Sequence, residues 1–155
     1  MNLDLEQLIR ALSDTVDLVG VDEVQHSKRV AYMALLCAET MGMSQAESTE
    51  LYRTGLLHDC GVSSTKVHRK LVDELDWDDA NIHCRIGAER MHQFLPLASM
   101  AEVILYHHTR WEQLEKLPLS EEVKRNANLI FLLDRVDALA ASRMLSARIR
   151  IDSPA

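Results

Sequence analysis

An imidazole and a carboxylate stand side by side in this chain, His58 and Asp59, at the end of the apolar run Gly55-Leu56-Leu57 and just before Cys60-Gly61. Burying a charged Asp beside a His is unfavourable by several kcal/mol unless something pairs with both, and a divalent cation is a common partner. The same conflict recurs along the sequence. His26 opens an apolar helical stretch, His83 stands four residues ahead of Gly87, His107-His108 follows Val103-Ile104-Leu105-Tyr106, and Asp134 interrupts Leu132-Leu133 and Val136. A fold for this chain must gather such groups around a neutralising partner, so His58-Asp59 is read as the centre of a metal site.

The spacing of apolar residues predicts helices throughout. Leu5, Leu8, Ile9, Leu12, Val16 and Val19 recur at helical period and stop at Gly20. A second helix is expected from Asp22 to Met41, with Val24, Val30, Met33, Ala34, Cys37 and Ala38 inward and Gly42 as its stop. Asp22 and His26 would then share one face. Ser44 and Glu47 form a capping box for a third helix ending near His58. Further helices are expected over 66–75, after a cap at Asp79 or Asn81, over 97–108, and from about Ser120 with Val123, Ala127, Ile130, Phe131, Leu133 and Leu139 buried. Gly87 admits a close neighbour, and His92 is a surface residue. With few Gly and Pro and sparse aromatics, the composition supports the same all-α class.

As a set, these motifs resemble the HD-domain superfamily of metal-dependent phosphohydrolases, and most of all its HD-GYP branch. The resemblance runs from about Asp22 to Leu139 and rests on His58-Asp59 after Gly-Leu-Leu, His83 ahead of Gly87, Tyr106-His107-His108, and Asp134 with Asp137-Ala138-Leu139. Two departures stand out. The chain reads His108-Thr109-Arg110-Trp111-Glu112 where the branch continues with an acidic residue and a Gly-Tyr-Pro loop, and it has Val62 where the branch has a Lys.

The resemblance implies an HD-like bundle of six to seven helices. Residues 1–20 would be a packing helix and 22–145 the metal-binding core of a single domain over 1–155, a fragment of a longer protein. It also implies that His26, His58, Asp59 and Asp134 surround one ion, with Asp59 bridging to a second held by His83, His107 and His108. A third ion depends on Asp22, which stands where the branch has a Glu. Mixed imidazole and carboxylate ligands suit divalent transition metals, Fe or Mn above all, and are too rich in nitrogen for Mg or Ca. His58 and Asp59 would be the catalytic pair, holding the ions whose bridging hydroxide attacks phosphorus. The implied substrate is a nucleotide phosphodiester, with cyclic di-GMP the nearest suggestion.

Other readings stay open. The fold could serve as a signalling module that binds a nucleotide or a protein without turnover, or house a di-iron oxygenase. Asp137 could pair with Arg135, Arg143 or a ligand His. Lys66, His68, Arg69 and Lys70 are either a solvated face or a phosphate-facing lip, and on the second reading Lys66 and Arg69, with Arg85 and Arg110, contact substrate. Trp111 either covers an edge of the bundle or, with Arg110, stacks on a base.

A net charge of −7 excludes a general DNA- or RNA-binding surface, while bound metals would still attract a phosphate-containing small molecule. Cys37, Cys60 and Cys84 are odd in number and lack Cys-x-x-Cys spacing, which disfavours a disulfide framework or a structural zinc site. No run reaches membrane-spanning length. A cytoplasmic protein is expected, as a homodimer or joined to further domains.

Overall fold

The computed structural model describes residues 4–19, 25–62 and 80–152, with residues 19, 80 and 142–152 described as backbone only. Among the described residues are seven α-helices and one 3-10 helix, with no strand. They are α1 (Leu5–Val19), α2 (His26–Thr40), α3 (Gln45–Leu57), α4 (Ala80–Gln93), a 3-10 helix (Leu95–Met100), α5 (Ala101–Tyr106), α6 (Trp111–Leu114) and α7 (Glu121–Asp152). The all-α HD-like bundle expected from the sequence is borne out.

Local chemistry sets the helix boundaries. Gly42, at φ 69°, ends α2. Its N–H donates to Glu39 O at 3.1 Å and the Met43 N–H to Ala38 O at 3.0 Å, the paired bonds of a Schellman cap. Ser44 then opens α3 with the expected capping box, donating its N–H to Glu47 Oε2 at 2.9 Å and accepting the Glu47 N–H at 3.3 Å. Gly55 lets α2 and α3 close on each other, because a Cβ there would lie 2.7 Å from Ala31 Cα.

Two apolar clusters flank the site. Ile9, Leu56, Leu57, Met91, Met100 and Ile104 join α1, α3, α4, the 3-10 helix and α5. Val30, Leu51, Val103, Leu114 and Ile130 join α2, α3 and α5 to α6 and α7. Burying such side chains contributes roughly 1.5–3 kcal/mol each, which is what holds a cluster of polar groups between them.

Several expectations need correction. Helix α2 begins at His26, not Asp22, because Gln25 takes a left-handed φ of 99° that breaks the helical run. Asp22 lies outside the described residues. So do Val24, Lys66, Arg69, the helix expected over 66–75, and Asp79. Asn81 is inside α4 and is not its cap. The helix expected over 97–108 is split: Pro96 sits in the first turn of a 3-10 helix, whose three-residue period puts Leu97 and Met100 together in the core. In α7 the buried stripe runs through Ala127, Ile130, Asp134 and Asp137. Leu139, expected inside, falls off that stripe and is 52 % exposed. Cys37 and Met33 are half-buried rather than buried.

Candidate metal centre

Five helices deliver the titratable groups from their ends or inner faces. His26 is the first residue of α2, His58 caps α3 with Asp59 next to it, His83 is in the first turn of α4, His107 caps α5 with His108 following, and Asp134 faces inward from α7. His58, His83 and His107 are each at most 1 % exposed. Helix α5 ends at Tyr106, and His107 and His108 follow directly with their ring centroids 4.2 Å apart.

Asp59 stands between two groups of nitrogens. Its Oδ2 is 3.4 Å from His58 Nε2 and 3.9 Å from His26 Nε2, while its Oδ1 is 3.4 Å from His83 Nε2 and 3.8 Å from His107 Nε2. Asp134 Oδ1 completes the first group, 3.3 Å from His26 Nε2 and 4.0 Å from His58 Nε2. His108 and Cys84 join His83 and His107 in the second. Ligands about 2.0–2.2 Å from a shared ion stand about 3–4 Å from one another. The donor separations are of that size.

Hydrogen bonds fix which nitrogen faces inward. His58 Nδ1 donates to Gly55 O at 2.9 Å and His107 Nδ1 to Ile104 O at 2.7 Å, which leaves both Nε2 lone pairs toward Asp59. His58 Nε2 is buried and has no hydrogen-bond partner. An orphaned acceptor of this kind, inside a ring of imidazoles and carboxylates, fits a bound cation. His108 differs: Arg135 donates to its Nδ1 at 3.0 Å, so its acceptor lone pair points at Arg135.

The electrostatics follow from this crowding. Burial alone would raise the Asp59 pKa, but the imidazoles of His58, His107 and His83 packed around it hold it well below the usual carboxylate range. Burial likewise opposes ionisation of Asp134, and the bond to His26 outweighs it. His26 is pushed up to about 10, because hydrogen bonds to Asp134 and Asp137 and the Asp59 charge overcome its desolvation. Burial lowers His107 and His108, keeping them neutral and able to donate lone pairs. The thiols of Cys60 and Cys84 are raised, Cys60 to about 12, chiefly by burial.

Asp137 orients His26, accepting from its Nδ1 at 2.7 Å, and is itself gripped by Arg29 through two bonds of 2.7 and 2.9 Å. Pairing of Asp137 with a cluster histidine was one of the expected alternatives. Arg29 was missed, although its position one helical turn beyond His26 was a readable signal. Cys84 was missed as a neighbour of the cluster, with Sγ 3.6 Å from His83 Nε2. Of the residues expected to contact substrate, Arg85 is exposed on α4, and Arg110 is exposed at the start of α6, lining a cleft with Trp111 and Arg135.

Glycines let the elements meet here. A Cβ on Gly61 would fall 2.6 Å from Gly87 N and 2.8 Å from the His83 carbonyl carbon, and one on Gly87 would be 3.2 Å from Cys60 Sγ. The turn after Asp59 thus lies directly on the backbone of α4. Arg90 ties the two further by donating to Cys60 O.

Residues 24–139 match the HD domain family. The chain belongs to that family. Two relatives are both named as 3'3'-cGAMP-specific phosphodiesterases of Vibrio cholerae serotype O1. One, a 3'3'-cGAMP-specific phosphodiesterase 1, is 41 % identical over 138 residues, covering 89 % of this chain and 32 % of its own length. The other, a 3'3'-cGAMP-specific phosphodiesterase 3, is 27 % identical over 154 residues, covering 96 % of this chain and 34 % of its own. The HD chain therefore spans about a third of these relatives. No solved structure matches it. Membership of the HD family bears out the superfamily expected from the motifs, and the His and Asp clusters are compatible with divalent metal binding. No described helix is long and apolar enough to cross a membrane.

Proposed function

We propose that this HD domain is a metal-dependent phosphodiesterase acting on a cyclic dinucleotide. The observation that carries the reading is the placement of Asp59, with one carboxylate oxygen toward His26 and His58 and the other toward His83 and His107. On this reading His26, His58 and Asp134 would hold one ion and His83 and His107 a second, with Asp59 shared between the two groups, while His108, expected among the ligands, turns its Nδ1 lone pair to Arg135. Manganese or iron suits such a donor set. The ions would supply Lewis acidity toward a phosphate diester and a lowered pKa for bound water.

The chain's own residues prepare that chemistry. Asp59 and Asp134 stay ionised at neutral pH, so neither carboxylate has to lose a proton before an ion enters, whereas His26, pushed up to about 10, gives one up on binding. The backbone carbonyls of Gly55 and Ile104 hold the His58 and His107 rings with Nε2 facing the cluster. Asp137 and Arg29 keep the His26 ring turned inward. Flanking apolar clusters exclude water, which strengthens every charge interaction inside.

The printed names of both relatives support a cyclic dinucleotide, and favour 3'3'-cGAMP over the cyclic di-GMP suggested by the motifs. The test is metal analysis and hydrolysis assays on protein loaded with Mn or Fe, using 3'3'-cGAMP, cyclic di-GMP and bis(p-nitrophenyl) phosphate. Two equivalents of metal, lost together with hydrolysis in Asp59→Ala, are expected. Fully loaded protein that cleaves none of the three diesters would rule the proposal out.

A further inference from the structure

Beside the centre, α6 and α7 enclose a cleft of about 450 Å³, within the size range of small-molecule sites. Its inner wall is made by residues that touch the cluster. Arg135 donates to His108 Nδ1 at 3.0 Å and its guanidinium lies 5.5 Å from the centroid of the Phe131 ring. Phe131 in turn meets the His108 ring edge to face at 6.3 Å. The outer wall is Trp111, at the first position of α6, which is anchored by the fully buried Leu114. Trp111 remains 43 % exposed and Leu132 49 %, an apolar surface next to the guanidinium groups of Arg110 and Arg135.

This composition has a definite complement. A flat aromatic with an exposed face recognises another flat ring, and the guanidinium groups of Arg110 and Arg135, which outnumber the one carboxylate of the lining, Glu112, favour a ligand carrying negative charge. An aliphatic ligand would use only the apolar wall, whereas inorganic phosphate would use only the guanidinium side. A nucleotide satisfies both. Resting on the phosphodiesterase reading above, we propose that the cleft is a base subsite: one purine of the cyclic dinucleotide stacks on Trp111 while its phosphate extends past Arg135 toward the centre at His108. Asn128, which also lines the cleft, offers an amide to the purine edge. Trp111 is then a specificity-determining residue of the HD domain, and the segment that departs from the Gly-Tyr-Pro pattern forms part of the substrate site.

Base stacking on an aromatic side chain is sensitive to truncation, and Trp111→Ala is expected to raise the KM for 3'3'-cGAMP by about 5- to 150-fold. Trp111→Phe should restore most of the loss. The readout is the KM ratio of 3'3'-cGAMP to bis(p-nitrophenyl) phosphate, a diester with no purine, in full-length protein of matched metal content and circular dichroism. The chain has two Trp, so a Trp77→Phe background isolates Trp111 emission, which 3'3'-cGAMP should quench on binding. Hydrolysis with an unchanged KM ratio and no quench overturns the subsite and leaves the phosphodiesterase reading intact. Quenching without hydrolysis supports the subsite while the catalytic reading fails. Neither signal overturns both.

Discussion

Replacing Gly61 by Ala asks whether the centre depends on how closely the turn after Asp59 lies on α4. Gly61 does not have a positive φ, so alanine can adopt its backbone conformation and the perturbation is one of space. The new Cβ would lie 2.6 Å from Gly87 N and nearer still to the carbonyl oxygen of His83. Relieving only the first contact, from 2.6 Å to a tolerable 3.0 Å, moves one backbone by 0.4 Å. The partner is backbone on both sides, so no side-chain rotation can absorb the strain. Metal–ligand distances tolerate about 0.2 Å, and the closer contact, not counted in that shift, is with the backbone of His83 itself. The expected outcome is loss of one of two bound ions, together with about 1–3 kcal/mol of stability from overpacking, or roughly 3–10 °C in Tm. Elemental analysis and thermal melts, each with and without metal, measure both. Gly42→Ala is the control: nothing lies within 4 Å of its Cβ and its φ is 69°, so it should lose about 1 kcal/mol to backbone strain and keep both ions. Retention of two ions and an unchanged Tm in Gly61→Ala would refute the reasoning.

Two further outcomes follow from the centre. Asp137→Asn should weaken metal binding about 10- to 100-fold without unfolding the protein, because His26 loses the carboxylate that orients it. Competitive titration against a chelating dye would detect this, and an unaltered affinity would count against the positioning role. In chelated protein, His26 at about 10 contributes stability that is complete below its ordinary pKa of 6.5 and lost as pH rises toward 10. His107 and His108, lowered by burial, lose theirs as pH falls below 6.5, and Asp59, Asp134 and Asp137 add further losses below 3.8. The metal-free Tm should peak near pH 6.5, with the alkaline decline removed in His26→Asn. A metal-free Tm that climbs between about pH 7 and 9 would contradict this.

What the sequence revealed, and what it did not, divides along physical lines. Signals contained within a few residues were legible: the Ser44–Glu47 capping box, the Gly42 stop, and the need of His58-Asp59 for a partner inside an apolar run. Asp134 was legible for the same reason, as a carboxylate amid Leu132, Leu133 and Val136. Features decided by three-dimensional packing were not. The left-handed Gln25 follows from no local propensity, since only Gly and occasionally Asn or Asp visit that region readily. Leu97 and Met100 fit an α-helical or a 3-10 period equally well until Pro96 and the core choose between them. Among the alternatives open for Asp137, the structure takes the histidine, and Arg135 bonds His108, a partner 27 residues away. Leu139 belongs to the cleft rather than the core, which periodicity along α7 alone could not decide.

His58 and His107 are each fastened to the carbonyl three residues back on their own chain. Because a carbonyl only accepts, the protonated nitrogen of each ring is chosen within a single turn, independently of the rest of the fold. The bond also satisfies a carbonyl that the end of a helix would otherwise leave bare. Ion uptake at these two rings therefore needs no proton exchange between ring nitrogens and no rotamer search. Their contribution to the speed of loading is set by how fast an ion sheds its water and enters, and chelator-stripped protein should recover at that pace rather than at the pace of refolding.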